Sequence, residues 1–338
     1  MKAGELIVGE HLSKCYEETQ LVRDRSFQLH VIKNVSLRVM GGEVFGLFGP
    51  NGAGKTTLIQ LLAGLMPPDS GTARLLGIDV VRNPLAAREH VGILFEGVTQ
   101  YPQMRLVEYL RFFGKMAMVP PKELSDRIYD LIKVVGLEDE AYKLMSNLST
   151  GQKGRAEIAR ALIGNPKVLF LDEPFLGLDI MSRRMIREYL RGWLRPDRCI
   201  LYTSHNLLES EQFVDRFSII REGSILVTGT ADELKRKFMR QEYAIVADKP
   251  ETVLEVLAGN PGVTTAEILK GRVVFTIADA ADLDGVLRDM VTRNVKVQEL
   301  KSMGTIEDLF EKVVSDTFKV EEAKELNVVK TKVLEVVP

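Results

Sequence analysis

Between two apolar stretches the chain reads Gly49-Pro50-Asn51-Gly52-Ala53-Gly54-Lys55-Thr56-Thr57, a glycine, four residues, then Gly-Lys-Thr. Glycines let the backbone curl until successive N–H groups point inward, which makes a cradle for phosphate oxygens. Lys55 can reach the β- and γ-phosphates of a nucleoside triphosphate, and the Thr56 hydroxyl can ligate Mg2+. The candidate binding set is therefore Gly49, Asn51, Gly52, Ala53, Gly54, Lys55, Thr56 and Thr57. Further along, Leu169-Phe170-Leu171-Asp172-Glu173 delivers two carboxylates at the tip of an apolar run. Burying ionised carboxylates without partners is costly, so such a pair calls for a cation or a proton-transfer task. Asp172 suits Mg2+, held through water, and Glu173 suits general-base activation of an attacking water.

These residues need elements to hold them. Glu43 to Phe48 reads as a buried strand emptying into the glycine turn, followed by a helix from about Gly54 to Leu65, whose positive end would face the phosphates. Pro67-Pro68-Asp69-Ser70-Gly71 stops that helix. Val168 to Leu171 and Cys199 to Thr203 read as further buried strands, and Val31 to Val39 as a half-buried one. From Leu106 to about Lys143 the spacing of Leu106, Leu110, Phe113, Ile128, Leu131 and Val135 is helical. Apolar strands separated by helices imply an α/β fold with a mainly parallel sheet and its ligand at the strands' carboxyl ends.

After Arg240 the rhythm changes. Strands at Tyr243–Val246, Val263–Lys270, Arg272–Ile277 and Val295–Leu300 alternate with helices at Pro250–Ala258 and Ala281–Thr292, and a helix near Thr305–Val314 follows. Strand-helix-strand-strand-helix-strand is the order of a ferredoxin-like unit. The expected organisation is a nucleotide-binding domain over 1–240, with a helical subdomain at about 100–150, a small α+β accessory domain over 241–318, and a tail over 319–338.

The whole chain bounds the function. Its 338 residues, 45% hydrophobic and 27% charged, are ordinary for a globular protein large enough to bury a sizeable core. Forty-five Lys plus Arg against 47 Asp plus Glu leave a net charge of -2, which gives no electrostatic footprint for nucleic acid. The two cysteines, Cys15 and Cys199, read as free thiols of a reducing compartment. No charge-free apolar stretch approaches the ~18 residues that span a bilayer, so a membrane role would require a partner that makes the crossing.

Leu148-Ser149-Thr150-Gly151-Gln152, about twenty residues before the acidic strand, completes a pattern. Together with the phosphate loop and Asp172-Glu173 it resembles the signature motif of the ATP-binding-cassette (ABC) superfamily, and the resemblance covers residues 4–238. It implies an ATPase whose cofactors are ATP and Mg2+. It implies that Pro174 to Asp179 is the D-loop, that His205 is the switch histidine, and that Tyr16 stacks on adenine. It implies a composite site, in which Ser149, Thr150, Gly151 and Gln152 of a second subunit, a copy or a paralogue, cover the bound ATP. One position departs from the pattern: where the family has a magnesium-touching Gln, this chain has Glu96, with Gln100 and Gln103 as rivals in another register. The segment Gly229 to Leu234 and the ending Thr305-Ile306-Glu307-Asp308-Leu309-Phe310 resemble ATP-binding subunits of multidrug- or antibiotic-type exporters. The resemblance thus implies a separate transmembrane permease and a cytoplasmic subunit peripheral on the inner face of the membrane. The alternative, an ABC ATPase acting on ribosomes or DNA, usually carries two cassettes or a long coiled-coil insertion, and neither is present.

Overall fold

The computed structural model describes residues 4–20, 25–95, 97, 101–205, 211–239, 241–269, 271–277, 281–306 and 308–314. The chain forms two compact units, Met1–Thr228 and Gly229–Pro338.

The first unit is built on a six-stranded sheet in the order β10-β9-β3-β8-β7-β6. Its strands are β3 (Val44–Phe48), β6 (Val91–Leu94), β7 (Val168–Asp172), β8 (Cys199–Ser204), β9 (Arg216–Arg221) and β10 (Ser224–Gly229). From β9 to β6 every pairing is parallel. Every residue of β3, β7 and β8 is buried, and that is why these segments are apolar without alternation: both faces of a parallel sheet are covered. Their carboxyl ends carry Gly49, Glu173 and His205, so the register gathers the candidate residues at one edge.

Packed with it is an antiparallel sheet in the order β2-β1-β4-β5, formed by β1 (Glu5–Gln20), β2 (Arg25–Met40), β4 (Ser70–Leu75) and β5 (Ile78–Asp79). The sequence reading recovered only part of β2. The rest was illegible because β1 and β2 carry register shifts and charged outward positions that blur the alternation. One apolar cluster joins the two sheets through α1 (Lys55–Leu62): Leu58, Ile59, Leu61 and Leu62 meet Ile7, Leu37, Phe45 and Leu47. A helix apolar on several sides fits only between two layers.

Helices α2 (Pro84–Arg88), α3 (Leu106–Met116) and α4 (Pro121–Val134) come next, followed by α5 (Thr150–Leu162) and α6 (Ile180–Trp193). Leu106, Tyr109 and Leu110 of α3 and Leu124, Ile128 and Leu131 of α4 are buried at helical spacing, as their periodicity predicts.

The second unit opens with α7 (Ala231–Phe238), whose Thr230 and Glu233 form a reciprocal cap. Its sheet has the order β12-β13-β11-β14, with β11 (Gln241–Ala247), β12 (Val263–Leu269), β13 (Arg272–Ile277) and β14 (Val297–Met303). Neighbours are antiparallel throughout. With α8 (Pro250–Ala258) and α9 (Ala281–Thr292) this is the ferredoxin-like arrangement. Its separate core holds Ile245, Val253, Leu257, Phe275, Val286 and Met290. The tail expected over 319–338 lies outside the described residues.

Candidate active site

The phosphate loop is shaped by what its glycines permit. Gly52 and Gly54 have φ of 79° and 101°, left-handed conformations that a side chain strongly disfavours. Gly54 is also the N-cap of α1, and neither a side-chain cap nor an acidic residue occupies the helix's first turn. Among the described residues no side chain caps the start of α1, the arrangement in which a helix N-terminus receives an anion. Lys55 is only 7% exposed, and its Nζ donates to the carbonyls of Gly49 and Pro50 at 2.7 and 3.2 Å. Ala53 is buried beneath the loop. A cavity of about 200 Å³ lies over it, with Asn51, Gly52, Lys55, Thr56 and Thr57 on one side and Asp172 and Glu173 on the other.

The carboxylates are held by hydroxyls. Asp172, 3% exposed, accepts from Thr56 Oγ1 at 2.7 Å and from Thr203 Oγ1 at 2.5 Å. Glu173 sits at φ 50°, a backbone state rare for a non-glycine, and its N–H donates to Thr203 Oγ1 at 3.1 Å. His205, on the residue after β8, places Nδ1 3.0 Å from Glu173 Oε2. A carboxylate only accepts, so Nδ1 is the protonated nitrogen there. The other oxygen, Glu173 Oε1, is buried with no hydrogen-bond partner among the described residues. Such an oxygen calls for a hydrogen-bond donor.

A divalent cation fits this donor set. Thr56 and Asp172 offer a hydroxyl and a buried carboxylate in contact. Mg2+ favours that sparse arrangement, because it keeps several waters and takes its remaining oxygens from phosphate.

Elsewhere in this unit, Ser149 caps α5. Its Oγ accepts from Gln152 N at 3.2 Å, and Gln152 Oε1 accepts from Ser149 N at 2.9 Å. Gln152 Nε2 also donates to Glu140 Oε1 at 3.1 Å. Thr150 begins the helix, and a Cβ on Gly151 would meet the Gly177 carbonyl at 2.9 Å. Gly151 therefore lets α5 lie against the segment leading to Asp179. Asp179 caps α6, accepting from Ser182 N at 2.9 Å and Ser182 Oγ at 2.6 Å. Those bonds, the hydroxyl's first, hold its carboxyl below the usual range.

Comparison with known proteins places this arrangement. The ABC transporter family model matches residues 32–176, and the model for the C-terminal domain of DrrA1-3-like ATP-binding proteins matches residues 229–314. The ABC transporter ATP-binding protein NatA of Bacillus subtilis (strain 168) is 34% identical over 213 residues, 63% of this chain and 87% of that one. The daunorubicin resistance ATP-binding protein DrrA3 of Streptomyces coeruleorubidus is 31% identical over 303 residues, covering 86% and 93%. The chain belongs to the ABC transporter ATP-binding proteins. A solved ATP-binding subunit of an ABC transporter superposes with a TM-score of 0.62 at 29% identity, covering 69% of this chain and 93% of that one. A dimeric cassette bound to ADP and Pi shares the fold at 22% identity with a TM-score of 0.61.

As an ABC subunit the chain is an ATPase that energises transport. Three features of its site escaped sequence reasoning. Val31 lines the cavity beside the loop, Thr203 bridges both acidic residues, and Glu173 has a left-handed backbone. Only Thr203 left a signal, a hydroxyl at the end of an apolar strand two residues before the histidine. Tyr16 lies on β1, partly exposed, with its hydroxyl donating to Met66 Sδ at 3.1 Å; it is not among the residues lining the cavity. Glu96 and Gln100 lie outside the described residues, and Gln103 is exposed in a turn before α3. Both cysteines are free. Among the described residues no helix is long and apolar enough to cross a membrane.

Proposed function

We propose that ATP is bound over the Gly49–Thr57 loop and cleaved with Glu173 as general base. The carrying observation is Glu173 Oε1, buried beside the phosphate cavity without a donor among the described residues. Backbone amides of Gly52 and Gly54 and the start of α1 cradle the phosphates, and Lys55 neutralises the β/γ bridge. Thr56 and Asp172 would hold Mg2+, which would supply charge neutralisation to the triphosphate. Glu173 Oε1 accepts a proton from the attacking water, while His205, oriented through its Nδ1–H by Oε2, is the switch residue beside the γ-phosphate. Tyr16 offers an aromatic face to the adenine. Glu96 keeps the metal-sensing role, with a carboxylate in place of an amide.

Ser149, Thr150, Gly151 and Gln152 close the site of a second subunit. The cap they form aims the α5 N-terminus at a partner's γ-phosphate. Asp179 fixes the D-loop beside it. Loss of the γ-phosphate removes that bridge and opens the pair, which turns hydrolysis into movement. The names of DrrA3 and of the linearmycin resistance ATP-binding protein LnrL of Bacillus subtilis (strain 168) support export of a drug-like cargo. The permease is a separate membrane-spanning chain, with this subunit on its cytoplasmic side. The test is ATP-dependent uptake into inside-out vesicles holding the permease: transport appears with wild-type subunit and vanishes with Lys55→Ala. Equal uptake with both would refute the coupling.

A further inference from the structure

Strand β8 carries more than His205. Thr203 is fully buried and lies in register with Asp172 on β7 and Leu47 on β3. Its hydroxyl has one proton to give and lone pairs to receive. The proton goes to Asp172 Oδ1 at 2.5 Å, and a lone pair takes the N–H of Glu173 at 3.1 Å. Asp172 Oδ2 meanwhile receives Thr56 Oγ1 at 2.7 Å. The Asp172 carboxylate is thus gripped at both oxygens and cannot turn without breaking a bond. The Glu173 amide, held by the same hydroxyl, belongs to a residue at φ 50°, a state that persists only when its surroundings over-determine it.

We propose that Thr203 is a positioning residue of the hydrolytic site. Its single hydroxyl fixes the orientation of Asp172 and the left-handed backbone of Glu173, and so aims Glu173 Oε1 at the attacking water. The inference rests on the reading of Glu173 as base. An apolar space-filling role for Thr203 would need its shape and not its hydroxyl, which separates the two explanations.

The test compares Thr203→Val, which keeps the shape, with Thr203→Ser, which keeps the hydroxyl. Groups that orient metal-site ligands typically matter by about 10- to 100-fold, so Thr203→Val should lose that much kcat with little change in KM for ATP. Thr203→Ser should restore kcat to near the wild-type value. A second readout avoids turnover: calorimetry of a non-hydrolysable ATP analogue across a magnesium titration. There Thr203→Val should need about tenfold more magnesium for half-maximal binding, and Thr203→Ser should match wild type. If Thr203→Val does not fold, Thr203→Ala replaces it in the same comparison. Wild-type kcat in the Val or Ala variant, or a Ser variant as slow as they are, overturns the proposal. Glu173→Gln is run alongside. Turnover surviving in Glu173→Gln removes the base assignment, whereas full kcat in Thr203→Val with Glu173→Gln inactive removes this inference alone.

Discussion

A lysine buried beneath a glycine loop keeps its charge only where oxygen acceptors surround it. Lys55, with its ammonium drawn to the Gly49 and Pro50 carbonyls, is preorganised for phosphate. A charge-assisted bond of this kind contributes roughly 1.5–3 kcal/mol, and each 1.4 kcal/mol is about tenfold in affinity. Lys55→Ala should therefore bind ATP about 10- to 100-fold more weakly by calorimetry. Wild-type affinity in that variant would count against the cradle. This much was legible in the sequence, because a phosphate loop is set by local residue types. The grip of Thr203 on Asp172 was not, since it depends on which residues two distant strands bring opposite each other.

At the scale of elements, caps carry function as well as stability. Ser149 and Gln152 satisfy the first amides of α5 reciprocally, so the segment that resembles a phosphate-covering signature is also a helix start. Ser149→Ala should cost about 1 kcal/mol of stability in denaturant unfolding and should also slow turnover; unchanged turnover would leave Ser149 a cap alone. A second cap sits before the helical residues 308–314 of the C-terminal unit. Asp308 accepts from Thr305 N at 2.7 Å and Thr305 Oγ1 at 2.8 Å, the amide first in effect, and these bonds hold its carboxyl below its ordinary 3.8. A depressed folded value means that the unfolded chain binds the proton more readily. The stabilisation is present above 3.8 and is lost as pH falls through the folded value. Asp308→Asn should thus lower thermal stability at neutral pH and flatten the acid side of the melting profile. An acid limb identical to wild type would contradict that assignment. Helices with a clear apolar stripe, such as α3 and α4, were readable from periodicity. The β1–β2–β4–β5 sheet was largely hidden, because bulged, charge-bearing strands do not alternate cleanly.

At the scale of the whole molecule, each of the two compact units has a buried core of its own among the described residues. The ferredoxin-like order of the second was readable because each short strand is set off by turn residues such as Gly271 and Pro250. Phe275 is fully buried at its centre and stacks on Tyr243 with ring centroids 5.7 Å apart. Phe275→Ala should cost about 3–5 kcal/mol in the unfolding of that unit while ATP affinity of the first stays at the wild-type value. Weakened ATP binding in that variant would mean that the two cores act as one.

The central claim is that a carboxylate at the tip of β7 readies water against a phosphate held by the glycine loop. Phosphate release by Glu173→Gln, measured beside its ATP binding, tests that most directly. The expected result is ATP affinity near wild type, accumulation of an ATP-bound dimer, and turnover reduced by roughly 10²–10⁴-fold, the usual worth of a general base. Phosphate release at the wild-type rate would contradict it.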